Sequence, residues 1–108
     1  MAESEERVGF TEATFRRVNE GIERGSAEGP VVFICECGRV GCNQLIELSR
    51  ATYKAVRAHP RRFFLIPGHE LPDAEDVVER HERYVVVQKR GEAGAVAGRT
   101  DPRRPLEP

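Results

Sequence analysis

All three cysteines of the chain fall in one stretch, Cys35-Glu36-Cys37-Gly38-Arg39-Val40-Gly41-Cys42, in the pattern C-x-C-x4-C. This cluster constrains the fold more than any other feature. It directly follows Val31-Val32-Phe33-Ile34, a continuous apolar run rich in β-branched residues that reads as a buried strand. Gly38 and Gly41 suit a tight loop, and Leu45-Ile46-Glu47-Leu48 reads as a return strand. The sequence therefore predicts a β-hairpin with the cysteines at its tip. Thiolates bind Zn²⁺ strongly, and structural zinc takes four tetrahedral ligands. Cys35, Cys37 and Cys42 supply three of them, so a fourth has to come from another part of the chain.

The chain has three histidines, His59, His69 and His81. His69 follows Pro67-Gly68, a turn signal at the end of the predicted strand Arg62–Ile66. Strand ends gather at the rim of a sheet, where the hairpin tip should also lie, so His69 is the expected fourth ligand. His59 sits beside Pro60 at a helix end, where a cation suits the helix dipole, and His81 lies in a predicted turn among charges. Two other readings of the cysteines compete. An odd count is a poor disulfide framework, although a thiol-based redox sensor needs only one reversible pair. Cysteine is also a compact hydrophobe, but Glu36 and the glycines make this segment too polar for a core. Three thiolates and one histidine are unusual for an iron-sulfur cluster, which mostly takes four thiolates.

Along the rest of the chain, residues 1–9 read as a disordered polar tail. A helix is expected from Thr11, a candidate N-cap, with Phe15, Val18 and Ile22 on its inner face and Gly25 as its stop. Ser49 reads as the N-cap of a second helix to about Ala58, with Leu48 and Tyr53 placed as a hydrophobic staple. Val77-Val78 suggest a fourth strand and Tyr84–Lys89 a fifth, joined by a turn at His81-Glu82-Arg83. Residues 91–97 are mostly small and mark a short helix or an irregular segment. Residues 98–108 read as an extended tail containing proline and arginine. The expected architecture is α+β: one domain over residues 10–97, a small antiparallel sheet with two helices packed on one face and a Cys-rich hairpin tip. A metal would help to staple a domain of this size.

With 108 residues and a formal net charge of −1, no general attraction to nucleic acid or membrane is expected. No apolar window is long enough to cross a bilayer, and the acidic N-terminus lacks the apolar core of a secretory signal. The expected location is the cytoplasm. Fifteen arginines against two lysines, spread along the whole chain, read as codon pressure in a high-GC genome. Charge is segregated locally: Leu48–His69 contains no acid, whereas Glu70–Glu82 holds six acids and one Arg. Arg50, Lys54 and Arg57 share one helix face. They are candidates for docking a protein or another anionic partner, nucleic acid being disfavoured by the low aromatic content.

Several separated motifs carry a resemblance: Phe33-x-Cys35-Glu36-Cys37, Cys42, Tyr53-x-x-Val56-Arg57, Arg62-Phe63, Pro67-Gly68-His69, Val77-Val78-Glu79, Tyr84-x-Val86-Val87-x-Lys89 and Asp101-Pro102-Arg103. Over about residues 15–103 the chain resembles an uncharacterised family of small proteins from high-GC bacteria. The resemblance implies that the Cys and His positions belong together, and it brings no activity with it. Nucleoside deaminases also use Cys and His on zinc, but their signature is H-x-E before P-C-x-x-C. Here His69 follows the cysteines and no C-x-x-C exists. No phosphate loop or paired-carboxylate motif appears either. The expectation is a non-enzymatic, zinc-binding module with a binding or regulatory role.

Overall fold

The computed structural model describes residues 5–25, 29–37, 39 and 41–103. Helix α1 (Glu5–Gly25) is followed by strands β1 (Val31–Ile34) and β2 (Leu45–Leu48) and helix α2 (Arg50–Arg57). Strands β3 (Arg62–Leu65), β4 (Glu75–Arg80) and β5 (Val85–Lys89) come next, and helix α3 (Gly91–Arg99) closes the order. The class is α+β, as expected. The strands divide between two antiparallel sheets, β1-β2 and β3-β5-β4, and the helices number three among the described residues.

Sheet one is the predicted hairpin, with Val31 opposite Leu48 and Ile34 opposite Leu45. Val31 and Phe33 point inward, whereas Val32 is exposed. The run is thus half-buried, because a two-stranded sheet has one face free. In sheet two the central strand β5 buries Val85, Val86 and Val87. A register shift between Val77 and Glu79 marks a bulge in β4 and leaves Val78 exposed. The sheets meet where Glu36 N donates to Phe64 O at 3.1 Å. Between them lies an aromatic core: Phe33 stacks on Tyr53 with centroids 4.4 Å apart, and Phe64 meets both edge-on.

Helix α2 forms as its sequence dictates. The Ser49 hydroxyl accepts from Thr52 N at 3.1 Å, and the staple residues Leu48 and Tyr53 are both buried. Tyr53, Val56 and Arg57 face the interior. Helix α1 departs from expectation in two ways. It starts at Glu5, so Thr11 lies inside it and residues 5–9 are helical rather than a tail; residues 1–4 lie outside the described residues. Its inner face is also mostly polar, with Ile22 packed against the core. Val18 is 43% exposed, while Glu12, Ala13, Arg16, Asn19, Glu20 and Glu23 are buried.

The polar face of α1 finds its partners far along the chain, although Glu12 Oε1 and Arg16 Nε have no hydrogen-bond partner among the described residues. The Lys89 ammonium sits between the carboxylates of Glu12 and Glu75. Arg16 donates to Pro60 O at 2.6 Å and to Ala97 O at 2.7 Å, with its guanidinium 4.7 Å from the Phe63 ring centroid. Glu23 pairs with Arg50. Glu20 accepts two bonds from Arg103, which draws the segment after α3 onto the fold and buries Asp101. Residues 98–103 are therefore held on the fold rather than extended as a tail, and residues 104–108 lie outside the described ones. Helix α3 packs on α1 through Ala93, Val96 and Ala97. No helix among the described residues is long and apolar enough to cross a membrane.

Candidate metal centre

Two similar turns deliver two of the four ligands. Pro67 and Gly68 form a turn closed by His69 N donating to Ile66 O at 3.0 Å, with Gly68 at φ +94°. That is a type II turn, whose third position favours glycine because a Cβ there is strained. In the cysteine loop Cys42 N donates to Arg39 O at 3.2 Å, and Gly41 has φ +85°. Cys42 and His69 are each the last residue of their turn. Arg39 Nη2 donates to Gly68 O at 3.2 Å, which ties the two turns together.

Cys35 and Cys37 are buried and continue from the end of β1. Cys35 N donates to Gln44 O at 2.8 Å, extending the hairpin by one rung. Its sulfur accepts from Ile66 N at 3.3 Å, the kind of amide donor that favours a thiolate.

The four side chains converge. One ligand atom from each of Cys35, Cys37, Cys42 and His69 lies within 4.8 Å of the others. His69 Nδ1 is 3.7 Å from the sulfur of Cys35 and 3.6 Å from that of Cys42. A tetrahedron built from zinc–sulfur and zinc–nitrogen bonds of ordinary length has sulfur-to-nitrogen edges of about 3.6 Å. The donor set suits a metal ion and these two edges match a tetrahedral one, so the four side chains form a possible metal site. The three cysteines form no disulfide. The Cys37 thiol, hydrogen-bonded to Cys35, is pushed up to about 12, while the same bond and the amide of Ile66 hold Cys35 below its ordinary value. Binding a metal through Cys37 would require its thiol to give up that proton.

His59 is exposed, and His81 stacks on Tyr84 with Nε2 2.9 Å from Glu79; neither belongs to the cluster. Glu70 accepts from Gly68 N, which braces the turn. Of the basic stripe on α2, Arg57 is buried and ion-paired to Glu36, and Arg50 pairs with Glu23. Only Lys54 of the three is exposed with no ion pair among the described residues.

The residue that sequence reasoning misplaced is Glu36. Polarity argued for solvent, yet its side chain is wholly buried between two ligands. It accepts from Arg57 Nη2 at 3.1 Å, Asn19 Nδ2 at 2.9 Å and Phe64 N at 3.3 Å. Burial raises its proton affinity, opposed by Arg57 and Asn19. No local signal marks it, because its partners come from α1, α2 and β3. No family model, curated protein or solved structure matches the chain, so the reading of this site rests on its own chemistry.

Proposed function

We propose that the chain is a small cytoplasmic zinc-binding module, in which the metal is structural and the role is binding or regulation rather than catalysis. The observation that carries this reading is the convergence of three sulfurs and one imidazole nitrogen within 4.8 Å of one another, with His69 Nδ1 3.7 Å and 3.6 Å from the sulfurs of Cys35 and Cys42. Thiolate and imidazole donors suit zinc over the hard, oxygen-seeking ions. Four protein ligands also close the coordination shell, whereas a catalytic zinc keeps one position for water. Three cysteines without a disulfide accord with a reducing compartment.

Elemental analysis of the untagged protein tests the proposal. The expected result is one zinc per chain, a colourless solution and thiols that react only after chelation. Three thiols that titrate freely without any metal would overturn it. A brown protein containing iron and sulfide would replace zinc with a cluster.

A further inference from the structure

Asn19 reaches from α1 into the base of the metal loop. Its side chain is fully buried and makes three hydrogen bonds. Oδ1 accepts from Ile34 N at 2.9 Å, and Nδ2 donates to Ile34 O at 2.8 Å and to Glu36 Oε2 at 2.9 Å. Ile34 is the residue before Cys35, and Glu36 separates Cys35 from Cys37. One amide on α1 thus grips the chain on both sides of the first ligand. Glu36 passes the grip on, through its other carboxylate oxygen, to Arg57 on α2 and Phe64 N on β3.

The physical character of this contact matters. An apolar face tolerates small shifts, because the hydrophobic effect has no direction. Buried hydrogen bonds do not, since a misaligned pair leaves desolvated groups without partners. The inner face of α1 is mostly polar, so its seating depends on the position of the Ile34–Glu36 backbone. The three cysteines and His69 would fix that backbone when they converge on an ion.

We infer that metal binding and the docking of α1 are one coupled event, with Asn19 and Glu36 as the positioning residues that join them. The inference rests on the metal-centre reading above. The coupling is reciprocal: the metal seats α1, and seated α1 raises the affinity for the metal. Helix α1 is then an arm whose seating reports metal occupancy, which is how a module of this kind could regulate.

The test combines zinc affinity, measured by competition with a chromophoric chelator, with amide hydrogen exchange on the full chain with and without zinc. In the wild type, zinc should slow exchange in α1 around Arg16–Glu23 as well as in the cysteine loop. Asn19→Ala should weaken zinc binding about tenfold or more and leave α1 unprotected when zinc protects the loop. Glu36→Gln, which keeps the side-chain shape, should also weaken binding. Arg17→Ala, on the outer face of α1, should match the wild type. A purely structural role for Asn19 would lower the melting temperature of the metal-free protein and leave zinc affinity unchanged; that result overturns the inference. So does a wild type in which zinc protects the loop alone. A wild type that binds no zinc at all would fail at the affinity step, which identifies the metal-centre reading itself as the fault.

Discussion

His69 meets the thiols because Gly68 adopts a backbone conformation closed to most residues. The pair supports two predictions at the residue scale. His69→Ala should weaken zinc binding, whereas His59→Ala and His81→Ala should not, since both of those histidines are exposed and lie outside the cluster. His69→Cys should retain the metal, because a fourth thiolate satisfies the same geometry. Chelator competition on the four variants decides this, and equal affinities for all of them would remove His69 from the site. Gly68→Ala places a Cβ at φ +94°, at a cost of about 1–2 kcal/mol. No heavy atom lies within 4 Å of that Cβ, so the penalty is conformational rather than steric. It should appear as a loss of zinc affinity of about fivefold to thirtyfold if the turn relaxes on metal release. Affinity equal to the wild type would show that the turn does not hold the ligand.

At the scale of elements, what could be read in the sequence depended on where each element finds its partners. The hairpin, the Ser49 cap, the Pro67-Gly68 turn and strand β5 all follow from contacts or conformations within a few residues. The inner face of α1 does not. Its buried Glu12, Arg16, Asn19, Glu20 and Glu23 are answered by Lys89, Pro60, Ile34, Arg103 and Arg50, and no local pattern can announce partners so distant. Of the apolar period Phe15-Val18-Ile22, Ile22 packs against the core and Val18 is exposed, so the period describes only part of the buried face. Helix α3 was equally hard to read, because its small residues serve a close approach. A Cβ on Gly94 would lie 2.9 Å from the Lys89 carbonyl oxygen and from Arg61 Nη1.

The ionic face of α1 predicts a pH dependence. Burial raises Glu12 from 4.5 to about 8, opposed by the Lys89 ammonium and helped by the neighbouring Glu75 carboxylate. The folded state therefore keeps a proton that the unfolded chain gives up above about pH 4.5. Glu12 stabilises the fold most when protonated, and its contribution is lost as pH rises through the folded value of about 8. Denaturant midpoints of the zinc-loaded protein should fall between about pH 4.5 and about pH 8. Glu12→Gln, which stays neutral, should flatten that slope. An unchanged slope in the variant would assign the pH dependence to other groups.

For the whole molecule, the metal site bridges the two sheets. Three ligands come from the hairpin loop of sheet one, and the fourth follows β3 of sheet two, 27 residues beyond Cys42. Apart from packing, the described main-chain bond between the sheets at this rim is Glu36 N to Phe64 O. A cross-link over such a span restricts the unfolded chain by about 3.5 kcal/mol on the loop-entropy model. In a domain of this size each kcal/mol shifts the melting temperature by about 4–8 °C. Chelation should therefore lower melting by about 14–28 °C. Cys37→Ser should melt like the chelated wild type, and chelator should shift it little further, because one missing thiolate already opens the shell. Differential scanning calorimetry with and without chelator reads both effects. A Cys37→Ser protein that melts with the wild type would mean that the two sheets hold together without the ion, and that the cysteines serve something other than the fold.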